Sequence, residues 1–367
     1  MISSDNWGIL FDTESPAIFK SQGDEISFYT EVAEELSYYV IQGKNLDEVI
    51  YWLRKLTGRV ELLPRWAYGY MQSKEKYTSA EELEHVVERF RREHIPIDCI
   101  VQDWQSWKEN LWGEKIPDNE RYPDLNKLIA SLHDNHAKLM WSVWPNMSPK
   151  CEDYREFEVQ GLLLPNSNVY NAYSEKGRKL YWDQCEKNLM QAGVDAVWCD
   201  NAEPFSDAEW NGSVKRTEIE RYNVIVRESE KHMQWEKINS YGLYHAKGIY
   251  DFWRKRNPQK RVVNLTRSTY TSGQKYGVIL WSGDITATWD TLRKQIAEGL
   301  RMGLSGFPYW TLDIGGFFTV NEKWQNRGCN NHDNPEPLWF WKGDYEDGVN
   351  DLGYRELYTR WLQVGAF

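Results

Sequence analysis

Apolar and polar positions change rhythm along this chain. Residues 1–45 carry short alternating runs, "EISFYTEV" and "LSYYVIQG", with no helical period. A period of two places successive side chains on opposite faces of an extended backbone, so this segment predicts β-strands. It is expected to be the remnant of an N-terminal β-sandwich that began upstream. "NLDEVIYWLRKLTG" follows, with Val49, Ile50, Leu53 and Leu56 at helical spacing and Gly58 placed to end the helix.

From Pro64 onward, short apolar segments alternate with longer amphipathic ones. "RWAYGYMQ" precedes "SAEELEHVVERFRREH", and "IPIDCIVQDW" precedes "PDLNKLIASLHDNH". "AKLMWSVWPN", "VDAVWCDN", "VVNLTRS", "GVILWSGD" and "GFPYWTLDIGG" continue the strand series, with "EKGRKLYWDQCEKNLMQAG" and "TWDTLRKQIAEGLRMGLS" among the helices. This predicts seven βα units, the pattern of parallel strands wrapped by helices. The strands are too continuously apolar for a sheet with one wet face, which also suits a parallel sheet covered on both sides. The α/β region is therefore expected over residues 46–367, and its length suits a barrel.

Composition narrows the class. The formal net charge of -11 opposes nucleic acid or an anionic membrane as partner, since both require concentrated Lys and Arg. No apolar run approaches the roughly 18 residues of a membrane span, and "MISSDNWGILF" has neither the basic flank nor the apolar block of an export signal, so a cytoplasmic location is expected. The five cysteines (99, 151, 185, 199 and 329) form no CxxC or Cys/His cluster, which predicts neither a disulfide framework nor a zinc site. The seven histidines do not gather at strand ends, and His133 and His136 are expected on a solvated helix face. No GxGxxG follows a strand, so no cofactor is expected. The 20 Trp and 22 Tyr can be core, but aromatic rings also stack on sugar faces.

In a βα barrel the reacting groups sit where strands end and loops begin. By that rule Asp103, Trp144, Asp200, Arg267, Asp284 and Asp313 share one mouth. Any single Asp after a strand is more often a helix cap or turn former. Recurrence at successive strand ends is what points to chemistry. Paired carboxylates without a metal cluster suit glycosidic cleavage. Phosphate chemistry would want a Gly-rich cradle, for which "DIGGF" offers only a glycine pair.

At these residues the chain resembles a known family. "LLPRWAYGYMQSKEKYTSAEE", "IPIDCIVQDWQSW", "VWCDNAEP", "LTRSTYTSGQKYGVILWSGD" and "SGFPYWTLDIGGF" are similar, in order, to the blocks of glycoside hydrolase family 31. The resemblance implies a (β/α)8 TIM-type barrel and a retaining exo-acting α-glycosidase, with an α-linked oligosaccharide or glycoside as substrate. It implies Asp200 as nucleophile, Asp284 as general acid/base, Arg267 in the sugar subsite, and Asp103 holding hydroxyls at the far edge of the sugar. Trp144 and Trp281 would be pocket walls, and Asp313 and Phe317 would lie in the block after the seventh strand. Glu203 is assigned a bland role, capping or bonding backbone at the turn. Relative to the family the chain reads as truncated at both ends, with the eighth strand missing. Bulk at Trp104, directly after Asp103, favours α-xylosidase, because a xylose pocket must close the space that glucose's hydroxymethyl group fills. An α-glucosidase and a catalytically silent carbohydrate-binding barrel remain the alternatives. The insertion "WKENLWG" would either wall the leaving-group side or tuck onto the structure below. Nothing in the sequence sets an oligomeric state.

Overall fold

The computed structural model describes residues 1–205, 217–320 and 343–365. Cys329 and His332 lie outside the described residues. The chain divides into two compact units, Met1–Val278 and Ile279–Phe367.

In the first unit, the alternating N-terminal segments form antiparallel sheets. Strands β1 (Ile2–Ser3), β2 (Trp7–Phe11) and β5 (Tyr38–Gln42) pair in the order β1-β2-β5, while β3 (Ala17–Gln22) and β4 (Glu25–Thr30) form a separate hairpin. Gly23, at φ 59°, occupies its tight turn. Helix α1 (Leu46–Thr57) starts where the Asn45 side chain accepts from Glu48 N, and it ends at Gly58 with φ 106°. Val49 and Leu53 are buried against Ile41. Leu56, expected on the same face, is 47% exposed. Thr57 is buried in its place and donates its hydroxyl to Leu53 O, so the apolar stripe of α1 is narrower than its periodicity suggested.

Parallel strands then follow in sequence order: β6 (Met71–Gln72), β7 (Cys99–Gln102), β8 (Lys138–Val143), β9 (Ala196–Cys199) and β10 (Asn264–Thr266). Every residue of β7, β9 and β10 is buried, as expected of strands covered on both faces. Helices α2 (Ala80–Arg92), α3 (Leu125–Asp134), α4 (Glu152–Val159), α5 (Glu175–Asn188), α6 (Glu218–Ser229) and α7 (Tyr241–Arg256) lie between or after them. The first expected strand shrinks to two residues because Arg65–Tyr68 forms a 3-10 turn behind Pro64. Trp141, Trp182 and Trp253 are fully buried, and Trp182 of α5 stacks on Trp253 of α7 at 5.4 Å, so part of the tryptophan excess is core. His133, expected in solvent, instead lies 2.7 Å from the buried Asp195, which also accepts from Leu139 N at 3.1 Å. Cys99, Cys151, Cys185 and Cys199 are buried free thiols. No described helix is long and apolar enough to cross a membrane.

In the second unit, β11 (Val278–Trp281) pairs in parallel with β12 (Trp310–Thr311), Leu280 facing Trp310 and Trp281 facing Thr311. Helix α8 (Trp289–Leu304) connects them, its start capped by Thr288, and α9 (Leu352–Gly365) follows. Ala287, Leu292, Leu312, Tyr354, Leu357 and Trp361 form the core of this unit. Among the described residues, the seven expected strands are all present.

Candidate active site

Four of the expected site residues directly follow a parallel strand of the first unit. Asp103 follows β7, Trp144 follows β8, Asp200 follows β9 and Arg267 follows β10. The register aligns them: Gln102 faces Trp141, Val143 faces Cys199, and Cys199 faces Thr266. Arg267 N also donates to Cys199 O at 3.1 Å, extending the ladder one step past the strands. All four side chains are half-buried, which leaves each both held and reachable.

Asp200 is fixed through one oxygen. Its Oδ1 accepts from the backbone N–H of Asn201 at 2.7 Å and from Arg267 Nη1 at 3.1 Å. The same guanidinium places Nε 2.5 Å from Glu203 Oε1. Arg267 therefore bridges the two carboxylates of "DNAEP", using the fixed fork of donors that lysine lacks. Glu203, expected to cap or bond backbone at the turn, is paired here with the site arginine.

Asp103 accepts from the Ser73 hydroxyl at 3.0 Å through Oδ2 and from Trp104 N at 2.6 Å through Oδ1. Loss of water, then the negative charge of Asp200, pushes its carboxyl up to about 7; the two hydrogen bonds oppose the rise and Glu75 adds to it. That coupling sets Asp103 and Asp200 within each other's field. Beside them, Trp104 stacks on Trp144 at 5.5 Å between centroids and 19° between planes. Trp107, only 2% exposed, packs edge-on to both rings at 5.9 and 5.7 Å. Trp104 Nε1 donates to Glu75 Oε1 at 2.8 Å. Glu75 is itself raised by burial, with the Trp104 bond opposing. The insertion at 107–113 packs onto the loop after β8: Ser148 N donates to Trp112 O at 2.8 Å, and Trp112 Nε1 reaches Asn146 Oδ1 at 3.4 Å.

The other expected residues belong to the second unit. Trp281 ends β11 and is 5% exposed; Asp284 lies three residues on, half-buried behind Gly283. Asp313 and Phe317 flank the glycine pair. Phe317 N and Phe318 N both donate to Ile285 O, at 2.8 and 3.1 Å, and Ala287 N donates to Phe318 O at 3.0 Å. A Cβ at Gly316 would meet Ala287 N at 2.7 Å, and φ there is 78°. Gly316 of "DIGGF" thus serves a close approach between the loop carrying Asp313 and the loop carrying Asp284. Among the described residues, no group of three or more His, Cys, Asp or Glu could hold a metal ion.

Ser73 and Glu75, in the loop after β6, were not anticipated as site residues. The only signal was a polar run, "QSKEK", directly after a strand.

Parallel strands in sequence order, with aspartates, an arginine and a tryptophan at their carboxyl ends, are those of a βα barrel. The chain belongs to glycosyl hydrolases family 31: the model of the family's TIM-barrel domain matches residues 60–367. It is 34% identical over 367 residues to an α-xylosidase of Saccharolobus solfataricus, covering all of this chain and 45% of that one. It is 28% identical over 342 residues to an α-glucosidase of the same organism, covering 84% and 48% respectively. Among solved structures, the family 31 α-xylosidase of Xanthomonas citri aligns with a TM-score of 0.77 at 34% identity, over 93% of this chain and 36% of that one. The family 31 dextranase of Flavobacterium johnsoniae, solved with glucose, aligns with a TM-score of 0.79 at 26% identity, over 100% and 43%. The chain thus spans about half the length of these curated relatives.

Proposed function

We propose that the protein is a retaining, exo-acting α-glycosidase that removes an α-linked xylosyl residue from an oligosaccharide or glycoside. The observation that carries this reading is the Asp200–Arg267 pair at adjacent strand ends, with Asp103 alongside, in a chain of family 31. Residues 46–367 are the catalytic barrel in this reading, and residues 1–45 belong to a β-sandwich.

The chemistry is a double displacement. Asp200 attacks the anomeric carbon while Asp284 protonates the departing oxygen; Asp284 then takes a proton from water, which attacks the glycosyl-enzyme. The Arg267 hydrogen bond occupies Oδ1 of Asp200 and compensates its charge, leaving Oδ2 to act. Asp103 takes hydroxyls of the bound sugar, and the Trp104–Trp144 stack supplies an apolar face against it. Trp281, Asp313 and Phe317 are assigned to substrate binding by the family resemblance.

Xylose is favoured over glucose by the setting of Trp104. A tryptophan turned outward would leave room for a hydroxymethyl group, but this one is tied to Glu75 and stacked on Trp144. The likeness to an α-glucosidase and to a dextranase solved with glucose keeps α-glucosidase as the second reading.

The test is hydrolysis of aryl α-xyloside and aryl α-glucoside followed by proton NMR, beside calorimetric titration with xylose and glucose. The α-anomer of xylose should appear first. First-formed β-product would exclude retention, and sugar binding without turnover would mean a silent carbohydrate-binding barrel.

A further inference from the structure

The Trp104 indole has a single N–H donor, and it points at Glu75 Oε1, 2.8 Å away. Trp104 also has a fixed root, since its backbone N–H is bonded to Asp103 Oδ1. With backbone and indole nitrogen both tied, the ring has one setting, parallel to Trp144 and edge-on to Trp107. Glu75 is itself in a braced loop. Its neighbour Lys74 pairs with Glu82 of α2 at 2.7 Å, the other oxygen of Glu82 accepts from Thr78 N, and Tyr77 is buried. Ser73 of the same loop bonds Asp103. One short loop after β6 therefore braces two successive residues after β7.

We propose that Glu75 is a positioning residue for sugar selectivity: by accepting from Trp104 Nε1 it locks the indole against Trp144 and closes the space a hydroxymethyl group would need. This rests on the α-glycosidase reading above. In setting the sugar preference, Glu75 acts through Trp104. Releasing the indole lets its ring rotate and admit the larger sugar, while the Asp200–Arg267 pair stays as it is.

The experiment compares kcat/KM for 4-nitrophenyl α-xyloside and 4-nitrophenyl α-glucoside, which share a leaving group. Glu75→Ala should lower the xylose-to-glucose ratio about tenfold, the scale on which pockets discriminate one small substituent. The change should come chiefly from a lower KM for the glucoside. Glu75→Gln, whose amide oxygen still accepts from the indole, should keep the wild-type ratio. Trp104→Phe keeps a ring and loses the N–H; it should lower the ratio too, and adding Glu75→Ala to it should change nothing further. An unchanged ratio in folded Glu75→Ala, or additive effects in the double variant, would overturn the proposal and leave the glycosidase reading intact. If Glu75→Ala does not fold, an unchanged ratio in Trp104→Phe overturns it equally. A wild-type protein inactive on both substrates would sink the glycosidase reading itself, and the proposal with it.

Discussion

Arg267 Nη1 lies 3.1 Å from Asp200 Oδ1, and Arg267 N donates to the carbonyl of Cys199, the residue just before Asp200. The pairing of β9 with β10 thus sets the geometry of the charge pair directly, with no long loop between strand and side chain. A site built in this way inherits the rigidity of the sheet, which suits a carboxylate that must meet an anomeric carbon within a few tenths of an ångström.

Removing the guanidinium takes the cation from both Asp200 and Glu203. Arg267→Ala should lower kcat/KM for an aryl α-glycoside about 100-fold or more, the range seen when one member of a desolvated charge pair is truncated. Arg267→Lys should recover little, because one ammonium cannot reproduce the two-sided bridge. Glu203→Gln keeps an oxygen at Nε and the Asp200 contact, so its loss should be about tenfold or less. Steady-state kinetics on variants with wild-type circular dichroism check this. A larger effect from Glu203→Gln than from Arg267→Ala would mean that Glu203 does more than hold the arginine.

Asp103 makes stability depend on pH in a stated direction. Its carboxyl titrates near 7 in the folded protein against 3.8 in the ordinary range, so the folded state binds the extra proton between those values. The stability this contributes is complete below about pH 4 and is lost as pH rises to about 7. Asp103→Asn does not titrate. The melting temperature of this variant minus that of wild type should therefore rise by a few degrees between pH 4.5 and 7.5 and stay level above that. A difference that is flat, or that falls, across this window would show that Asp103 is ionised throughout.

The strand ends were legible in the sequence because short, largely apolar segments alternate with longer amphipathic ones, and the end of each short segment marks the exit. Asp103, Asp200 and Arg267 were found that way. The bracing residues were not legible, for a physical reason. Ser73 and Asp103 are 30 positions apart, and Glu203 and Arg267 are 64 apart; each pair meets only because neighbouring strands align in one register. Side-chain period also misjudged edges: Leu56 continued the helical stripe of α1 in sequence but lies beyond the part covered by Ile41. The glycine pair of "DIGGF" was too short to argue for a phosphate cradle; Gly316 serves the close passage of two loops, and Gly315 faces Tyr354 and Tyr358.

Gly113 tests the loop that flanks the tryptophan wall. Its φ is 78°, and an added Cβ would stand 2.0 Å from Asn146 O, a backbone atom that cannot turn aside. Gly161 has a similar φ of 64° with nothing within 4 Å, so it isolates the cost of the left-handed backbone. Gly161→Ala should cost about 1 to 2 kcal/mol, and Gly113→Ala should exceed it by about 1 to 3 kcal/mol, the cost of overpacking. Urea unfolding of the two variants gives the comparison. Equal losses would mean that the segment between Trp112 and Asn146 yields freely.

The division of labour between Asp200 and Asp284 has a chemical signature that survives the loss of either residue. Asp200→Ala removes the covalent step and should nearly abolish cleavage of any α-glycoside. Asp284→Ala should still react with a glycosyl fluoride or activated aryl glycoside, whose leaving group needs little protonation, and the glycosyl-enzyme should then accumulate because no base activates water. Azide is a nucleophile that needs no base. Added to the Asp284 variant, it should restore turnover by attacking the β-linked intermediate from the face the leaving group vacated, giving the α-glycosyl azide. Added to Asp200→Ala, it can act only in place of the missing carboxylate, from the opposite face, so any product there should be the β-azide. Proton NMR of the anomeric region separates the two. A β-azide from the Asp284 variant, or an α-azide from the Asp200 variant, would exchange the roles assigned to these two aspartates.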